Sequence, residues 1–322
     1  MKTPLISVAL TSYNGEKFIA AQLDSLLHQS MPVDEIIVCD DNSTDRTPEI
    51  LNDYQRRYPD VVKIFRNDCN LGCYRNFENA LSHCGGKYIF LCDQDDVWLP
   101  EKVAKLLQIL LDEPECDGVF CDSAAVGEQL QELDFSFWQM RKFGKKAQRQ
   151  CRDNALKIML KRIPVAAHSV ALRQRALQYV LPFPEISGFY PDSWIALQVA
   201  LRSQWALTPE KLTCYRVHSG NITAPQLATA AVELRRSQAV RAKNGIAQTA
   251  RLGEVLLDRI APETPDFRRK MVQDFTTHYT KRAKYSGNFL LRSIQIAGEV
   301  CSGRYFKYSN GVKSIAADLL LH

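Results

Sequence analysis

Three carboxylates, Asp93, Asp95 and Asp96, stand within four residues in "IFLCDQDDVWLPEK" (89–102), directly after an apolar run. Like charges crowded at a strand end repel one another, and each makes its neighbour harder to ionise. The crowding is tolerable where something positive completes it. Two acids at i and i+2 on a loop after a strand can point to one side. Their hard oxygens suit a divalent cation such as Mg2+ or Mn2+, which also binds a substrate's phosphates. Asp96, next to "VWLPEK", reads more simply as a residue that caps or precedes a helix. Asp40 and Asp41 end a second apolar run, "EIIVCDD". Asp192 opens "YPDSWIALQVALRS", where a helix dipole favours negative charge. His168 in "VAAHSV" and His218 in "YRVHSGN" complete the titratable candidates, although a lone His is more often structural than a ligand.

The elements that must position these residues follow from periodicity. "LISVAL", "EIIVCDD", "VVKIFRN" and "KYIFLCD" are short apolar runs with β-branched members. Between them "KFIAAQLDSLLHQ", "STDRTPEILNDYQRRY" and "CYRNFENALSHC" carry apolar residues at helical spacing, with Ser43 or Thr44 as the candidate cap of the second. Alternation at this spacing predicts a parallel α/β sheet with right-handed crossovers. Ligands of such sheets lie at the carboxyl ends of the strands. "TSYN", "CDDNSTD" and "CDQDD" all follow strand ends, so one crevice gathers them. Past Lys102 strands are expected at "DGVFCDSAAV" and "KLTCYRVHSGN". "VAAHSVALRQRALQYVLPFP" reads as a strand with a short helix, and "YPDSWIALQVALRS" as a helix. From Pro225 onward the pattern is helical almost throughout, and no internal repeat is evident.

The 322 residues allow one large domain or two ordinary ones, and 46% hydrophobic content supports a sizeable core. Ten cysteines are scattered without a CxxC pair. Cys69 and Cys73 are separated by three residues, and no second pair follows at zinc-finger spacing. Without a secretory signal, reduced thiols in a cytoplasm are expected. The longest apolar stretches are too short to span a bilayer. The net charge of +5 is uneven: residues 225–322 hold 16 Lys+Arg against 8 Asp+Glu, a net of +8, whereas residues 1–224 carry −3. Clusters such as Arg268-Arg269-Lys270 and Lys281-Arg282 suggest a basic flank facing lipid headgroups or a phosphate-bearing acceptor, against the simpler alternative of a solvated helical surface. No nucleic-acid partner is expected.

Together "SVALTSYNGEKFIAAQLDSLLHQ", "DEIIVCDDNSTDRT", "NLGCYRNFENAL" and "KYIFLCDQDDVWLPEK" resemble the N-terminal half of family 2 glycosyltransferases, which have the GT-A fold and use nucleotide sugars. "LPFPE…FYPDSWIALQVAL…YRVHSGN" is similar to the bacterial rhamnosyltransferase-like branch. The resemblance covers about residues 5–224. It implies a GT-A catalytic domain over 1–224, with a Rossmann-like mixed sheet flanked by helices; the basic helical extension over 225–322 lies beyond it and rests on the periodicity and charge above. The resemblance also implies roles. Thr11 and Tyr13 line the base and ribose. Asp41 accepts a hydrogen bond from a pyrimidine, with Asp40 beside it, and Asn76 closes the nucleotide pocket. Asp93 lies near ribose and metal, and Asp95 on the Mg2+ or Mn2+. His218 touches metal or diphosphate. Asp192 is the catalytic base, Trp194 keeps an aromatic of the acceptor site, and His168 is pocket wall. Pro191 and Ser193 depart from the branch's His and Trp around that base, which bears on acceptor choice.

The expected activity is inverting transfer from dTDP-rhamnose or a UDP-hexose to a hydroxyl of a growing cell-surface polysaccharide or polyprenyl-diphosphate-linked glycan. The expected location is the cytoplasm, with peripheral contact at the inner face of the cytoplasmic membrane. Two rivals remain at this point. One is a catalytically inactive nucleotide-sugar-binding or scaffold protein. The other is a nucleotidyltransferase, for which "LTSYNGEKF" is a poor phosphate loop.

Overall fold

The computed structural model describes residues 5–186, 189–221 and 235–320; the boundary expected at Ala224 lies outside them. Three βα units and a fourth strand open the chain. Strands β1 (Ile6–Ser12), β2 (Glu35–Asp40), β3 (Val62–Arg66) and β4 (Tyr88–Asp93) alternate with helices α1 (Ile19–Leu27), α2 (Thr47–Arg57) and α3 (Gly72–His83). β1, β2 and β4 are covered on both faces, which is why they read as unbroken apolar runs. Ile19, Leu23 and Leu26 give α1 one buried stripe. Val103, Leu106, Leu107 and Leu110 do the same for α4 (Lys102–Asp112).

The second half turns the sheet mixed. β5 (Val97–Trp98), β6 (Cys116–Val126), β7 (Glu132–Ser136), β8 (Val170–Arg173) and β9 (Gln204–Arg216) complete the order β3-β2-β1-β4-β8-β6-β9-β5, with β7 paired to β6. The four leading strands are parallel, as expected. β8 runs antiparallel between β4 and β6, and β5 antiparallel to β9. The helices here are α5 (Phe137–Met140), α6 (Lys145–Asp153), α7 (Ala155–Met159), α8 (Leu177–Val180) and α9 (Pro191–Arg202). Two local expectations change. Thr47 opens α2 without Ser43 or Thr44 as its cap, because Ser43 is spent on Asp40. Asp96 caps no helix; α4 begins six residues later, and Asp96 Oδ1 accepts the backbone N–H of Arg216.

A second compact unit holds α10 (Arg235–Asp258), α11 (Asp266–Ala283), α12 (Phe289–Cys301), α13 (Arg304–Tyr308) and α14 (Val312–Leu320), together with Leu156–Arg162. Asn288 caps α12, its Oδ1 accepting from the N–H groups of Leu290 and Leu291. The interior is polar as well as apolar. Arg282 makes a two-pronged pair with Asp318, which also accepts from the Tyr305 hydroxyl. Glu299 is held by His278, Lys281 and Arg304. Arg282 is therefore buried and does not join a surface cluster with Lys281. Among the described residues no helix is long and apolar enough to cross a membrane.

Candidate active site

The register of the parallel strands brings the acids to one edge. Thr11 lies opposite Asp93 of β4 and Cys39 of β2, and Ser12 opposite Asp40. Asp40 then fastens the loop behind it: Ser12 Oγ and Ser43 Oγ donate to Oδ1 at 3.1 and 2.5 Å, and Ser43 N–H donates to Oδ2 at 3.0 Å. Asp41 takes three donors, Asn67 Nδ2, Leu71 N–H and Gly72 N–H, each at 2.8 Å. Gly72 adopts φ +80°, a conformation that L side chains rarely adopt. Asn76 is buried behind this loop. Its Nδ2 donates to the Cys39 carbonyl and its Oδ1 accepts from Asn67, so it meets Asp41 through Asn67. Thr11 is nearly covered, and Tyr13 is exposed at the rim.

The acid motif continues from β4 into β5, whose pairing with β9 fixes it beside the end of that strand. Arg216 closes the join. Its Nε donates to the Asp95 carbonyl at 2.7 Å, Nη1 donates to the Glu128 carbonyl, and the guanidinium lies 4.8 Å from the Phe18 ring centre. Asp95 Oδ2 receives His218 Nε2 at 2.9 Å and Asn221 Nδ2 at 3.3 Å. Gly220 N–H donates to His218 Nδ1, which assigns the ring hydrogen to Nε2. His218 is thus a donor to Asp95.

Asp96 and His168 lie beneath. His168 Nδ1 is 3.4 Å from Asp96 Oδ2 and 3.9 Å from Asp93 Oδ2. One atom each of Asp93, Asp96 and His168 falls within 4.8 Å of the others, a grouping with metal-ligand chemistry that differs from the expected Asp93, Asp95 and His218. The ring stacks on Tyr215 and meets Phe137 edge-on, which leaves His168 2% exposed. Burial and Lys102 lower its pKa to about 3, leaving the imidazole neutral. Lys102, fully buried, donates to the His168 carbonyl at 2.5 Å and covers the Trp98 ring. Burial lowers its pKa to about 8, against the opposing pull of Asp96 and Asp93.

Burial, then Asp95 and Asp192, push Asp93 up to about 8. Burial pushes Asp96 well above the carboxylate range, with Asp95 and Asp93 adding to it. Asp192, half-buried in the first turn of α9, is raised to about 6 by burial, with Arg141 and Ser193 opposing. The thiol of Cys73 ties these groups together. After burial, the charges of Asp93, Asp192, Asp41 and Asp95 all act to raise its pKa. The acids at the ends of β2 and β4 and at the opening of α9 therefore lie within electrostatic reach of one buried thiol, that of Cys73. Trp194 is not among these groups: the side chain is 1% exposed in the core, and its indole donates to the Val180 carbonyl at 2.8 Å. This bond ties α9 to the end of α8.

The oxygen-rich donor set fits a hard divalent cation, and Asp96 Oδ2 is buried without a hydrogen-bond partner. Residues 7–163 match the sequence model described as Glycosyl transferase family 2. That stretch is a family 2 glycosyltransferase domain. An uncharacterized protein of Mycobacterium tuberculosis is 30% identical over 222 residues, covering 67% of this chain and 60% of its own length. The chain thus spans about 60% of the length of that curated relative. An Escherichia coli protein named UDP-Glc:alpha-D-GlcNAc-diphosphoundecaprenol beta-1,3-glucosyltransferase is 32% identical over 108 residues, 33% of this chain and 41% of its own. Among solved structures, the mannosyltransferase PcManGT of Pyrobaculum calidifontis, in complex with GDP-Man and Mn2+, aligns with a TM-score of 0.59 at 17% identity. The alignment covers 99% of this chain and 86% of that one, and the shared fold is GT-A.

Sequence reasoning missed Lys102, Arg216 and Gln94. Each acts on backbone carbonyls or amides across the fold, and no spacing signals that. The one available hint was Lys102, six residues after three acids whose charge needed balance.

Proposed function

We propose that the chain transfers a hexosyl unit from a pyrimidine nucleotide sugar to a hydroxyl of a cell-surface glycan, with inversion at the anomeric carbon. The observation that carries this reading is the placement of Asp192, in the first turn of α9, close enough to Asp93 for its charge to raise that group, with Asp192 itself raised to about 6. Above that pH Asp192 is ionised. It takes the proton of the acceptor hydroxyl while that oxygen attacks C1, and the bond from C1 to the diphosphate breaks on the opposite face. The nucleoside diphosphate is the leaving group. Thr11, Tyr13 and the loop held by Asp41 bind the nucleoside, and Asn76 supports them through Asn67. Asp93, whose carboxylate is grouped with Asp96 and His168, and Asp95 would hold Mg2+ or Mn2+, with His218 behind Asp95. When bound, the cation supplies Lewis-acid stabilisation of the departing diphosphate.

The glucosyltransferase relative uses UDP-Glc by name, which supports a UDP-hexose over dTDP-rhamnose as donor. The same name supports a polyprenyl-diphosphate-linked acceptor, and with it a peripheral place at a membrane face. The domain organisation proposed is a GT-A unit through about residue 224 and a helical unit after it. A thermal-shift screen of nucleotide sugars with Mn2+ tests the donor. A UDP-sugar at about 100 times its Kd adds roughly 2.7 kcal/mol to stability by mass action. No shift with any uridine or thymidine nucleotide sugar would contradict the proposal.

A further inference from the structure

In the second unit α12 is built inside out. Arg292, Ile296 and Glu299 form its buried row, whereas Leu290, Ile294, Ala297 and Cys301 form its exposed row at i, i+4, i+7 and i+11. Leu290 and Ile294 are 69% and 63% exposed. α14 repeats the arrangement: Asp318 is buried, and Val312, Ala316 and Leu320 face outward at i, i+4 and i+8. Fourteen large apolar side chains are exposed among the described residues, and seven of them fall between Phe289 and Leu320. Burying charge and exposing aliphatic surface are each unfavourable in water, so the pattern suits a surrounding less polar than water.

The charges select that surrounding. Between residues 284 and 320 the acids are Glu299 and Asp318, both buried and ion-paired. Lys284, Lys307 and Lys313 are exposed. The outer surface of α12–α14 is thus apolar with positive charge and without a carboxylate. A second copy docking by two-fold symmetry would set this face against itself, lysines towards lysines. An anionic lipid surface complements it instead: headgroups meet the lysines, and the leucine and isoleucine side chains enter the acyl boundary.

We propose that the exposed apolar rows of α12 and α14, with Leu290 and Ile294 in the first and Lys284, Lys307 and Lys313 exposed along the same segment, dock on an anionic membrane. The surface differs from the Arg268-Arg269-Lys270 and Lys281-Arg282 clusters suggested by the sequence, since Arg282 is interior and Lys281 is paired to Glu299. The proposal deepens the lipid-linked acceptor reading by naming the surface, and it is measured without donor.

Co-sedimentation of the full chain compares vesicles of phosphatidylcholine alone with vesicles containing phosphatidylglycerol. The partition coefficient should be at least roughly tenfold higher on the anionic vesicles and fall with salt. Leu290→Glu with Ile294→Glu should abolish binding. Lys284→Glu, Lys307→Glu and Lys313→Glu together should lower it by roughly a hundredfold, about fivefold per lysine. Thermal unfolding and UDP-sugar thermal shifts should stay at wild-type values, because these side chains are exposed and far in sequence from the acids. That readout separates failure of docking from failure of the donor assignment. Wild-type protein left in the supernatant would overturn the proposal, as would variants that bind like wild type. So would a dimer, seen by light scattering, that Leu290→Glu with Ile294→Glu dissociates.

Discussion

Gln94 grips the backbone of Tyr13 at both polar groups: its Oε1 accepts from Tyr13 N–H at 2.9 Å, and its Nε2 donates to the Tyr13 carbonyl at 3.0 Å. The residue between the two acids of the motif thereby ties the cation loop to the nucleoside loop. Gly15 makes room for it, since a Cβ there would lie 2.1 Å from Gln94 Oε1. Gln94→Ala removes both bonds, each worth about 1 kcal/mol. Donor KM should rise roughly tenfold or more with kcat nearly unchanged, measured by steady-state kinetics. A fall in kcat alone would mean that the clamp serves chemistry rather than donor placement.

Asp192→Asn should lower kcat by roughly 10²–10⁴-fold while leaving UDP affinity intact. The pH profile gives an independent check. The base must be ionised, so wild-type kcat should fall below about pH 6, approaching tenfold per pH unit, following the raised pKa of Asp192. The residual rate of Asp192→Asn should lack that limb. A wild-type acid limb that survives in the variant assigns it to another group.

Titration calorimetry of Mn2+ with UDP orders the cation contacts. Asp95→Asn should cost more than His218→Ala, which acts from behind Asp95 and should cost roughly 10–100-fold in affinity. Equal losses would place His218 on the cation directly.

The second unit should be acid-sensitive. Burial holds His278 down to about 4 despite its hydrogen bond to Glu299. Its folded pKa lies below the unfolded value, so the unfolded chain takes up the proton first. The stabilisation is complete above about 6.5 and is lost as pH falls towards 4. Separately, Asp318→Asn strands the buried Arg282 and should cost about 3–5 kcal/mol. Urea unfolding at pH 7 and pH 5 reads both effects.

The three βα units and the fourth strand were legible because strands buried on both faces read as apolar runs and α1 and α3 bury one stripe each. The mixed half was harder. β5 is two residues long, β7 is largely exposed, and β8 takes its antiparallel place from pairing that no local pattern encodes. In the site, acids at strand ends were visible because the chain must stop being apolar there. Asp96 was misread as a cap because its partner, the Arg216 amide, is 120 residues away. Trp194 resembled an acceptor-site aromatic, but its side chain points into the core. Lys102 carried no signal in the sequence, and only the fold reveals it buried beside the acids.

Proton NMR of donor hydrolysis reads the stereochemistry of transfer itself, because water can replace the acceptor hydroxyl. With UDP-α-glucose and Mn2+, inversion gives UDP together with β-glucose as the first anomer seen before mutarotation, and this signal should be lost in Asp192→Asn. Release of α-glucose first, or an Asp192→Asn variant that hydrolyses the donor at the wild-type rate, would contradict inverting transfer with Asp192 as the base.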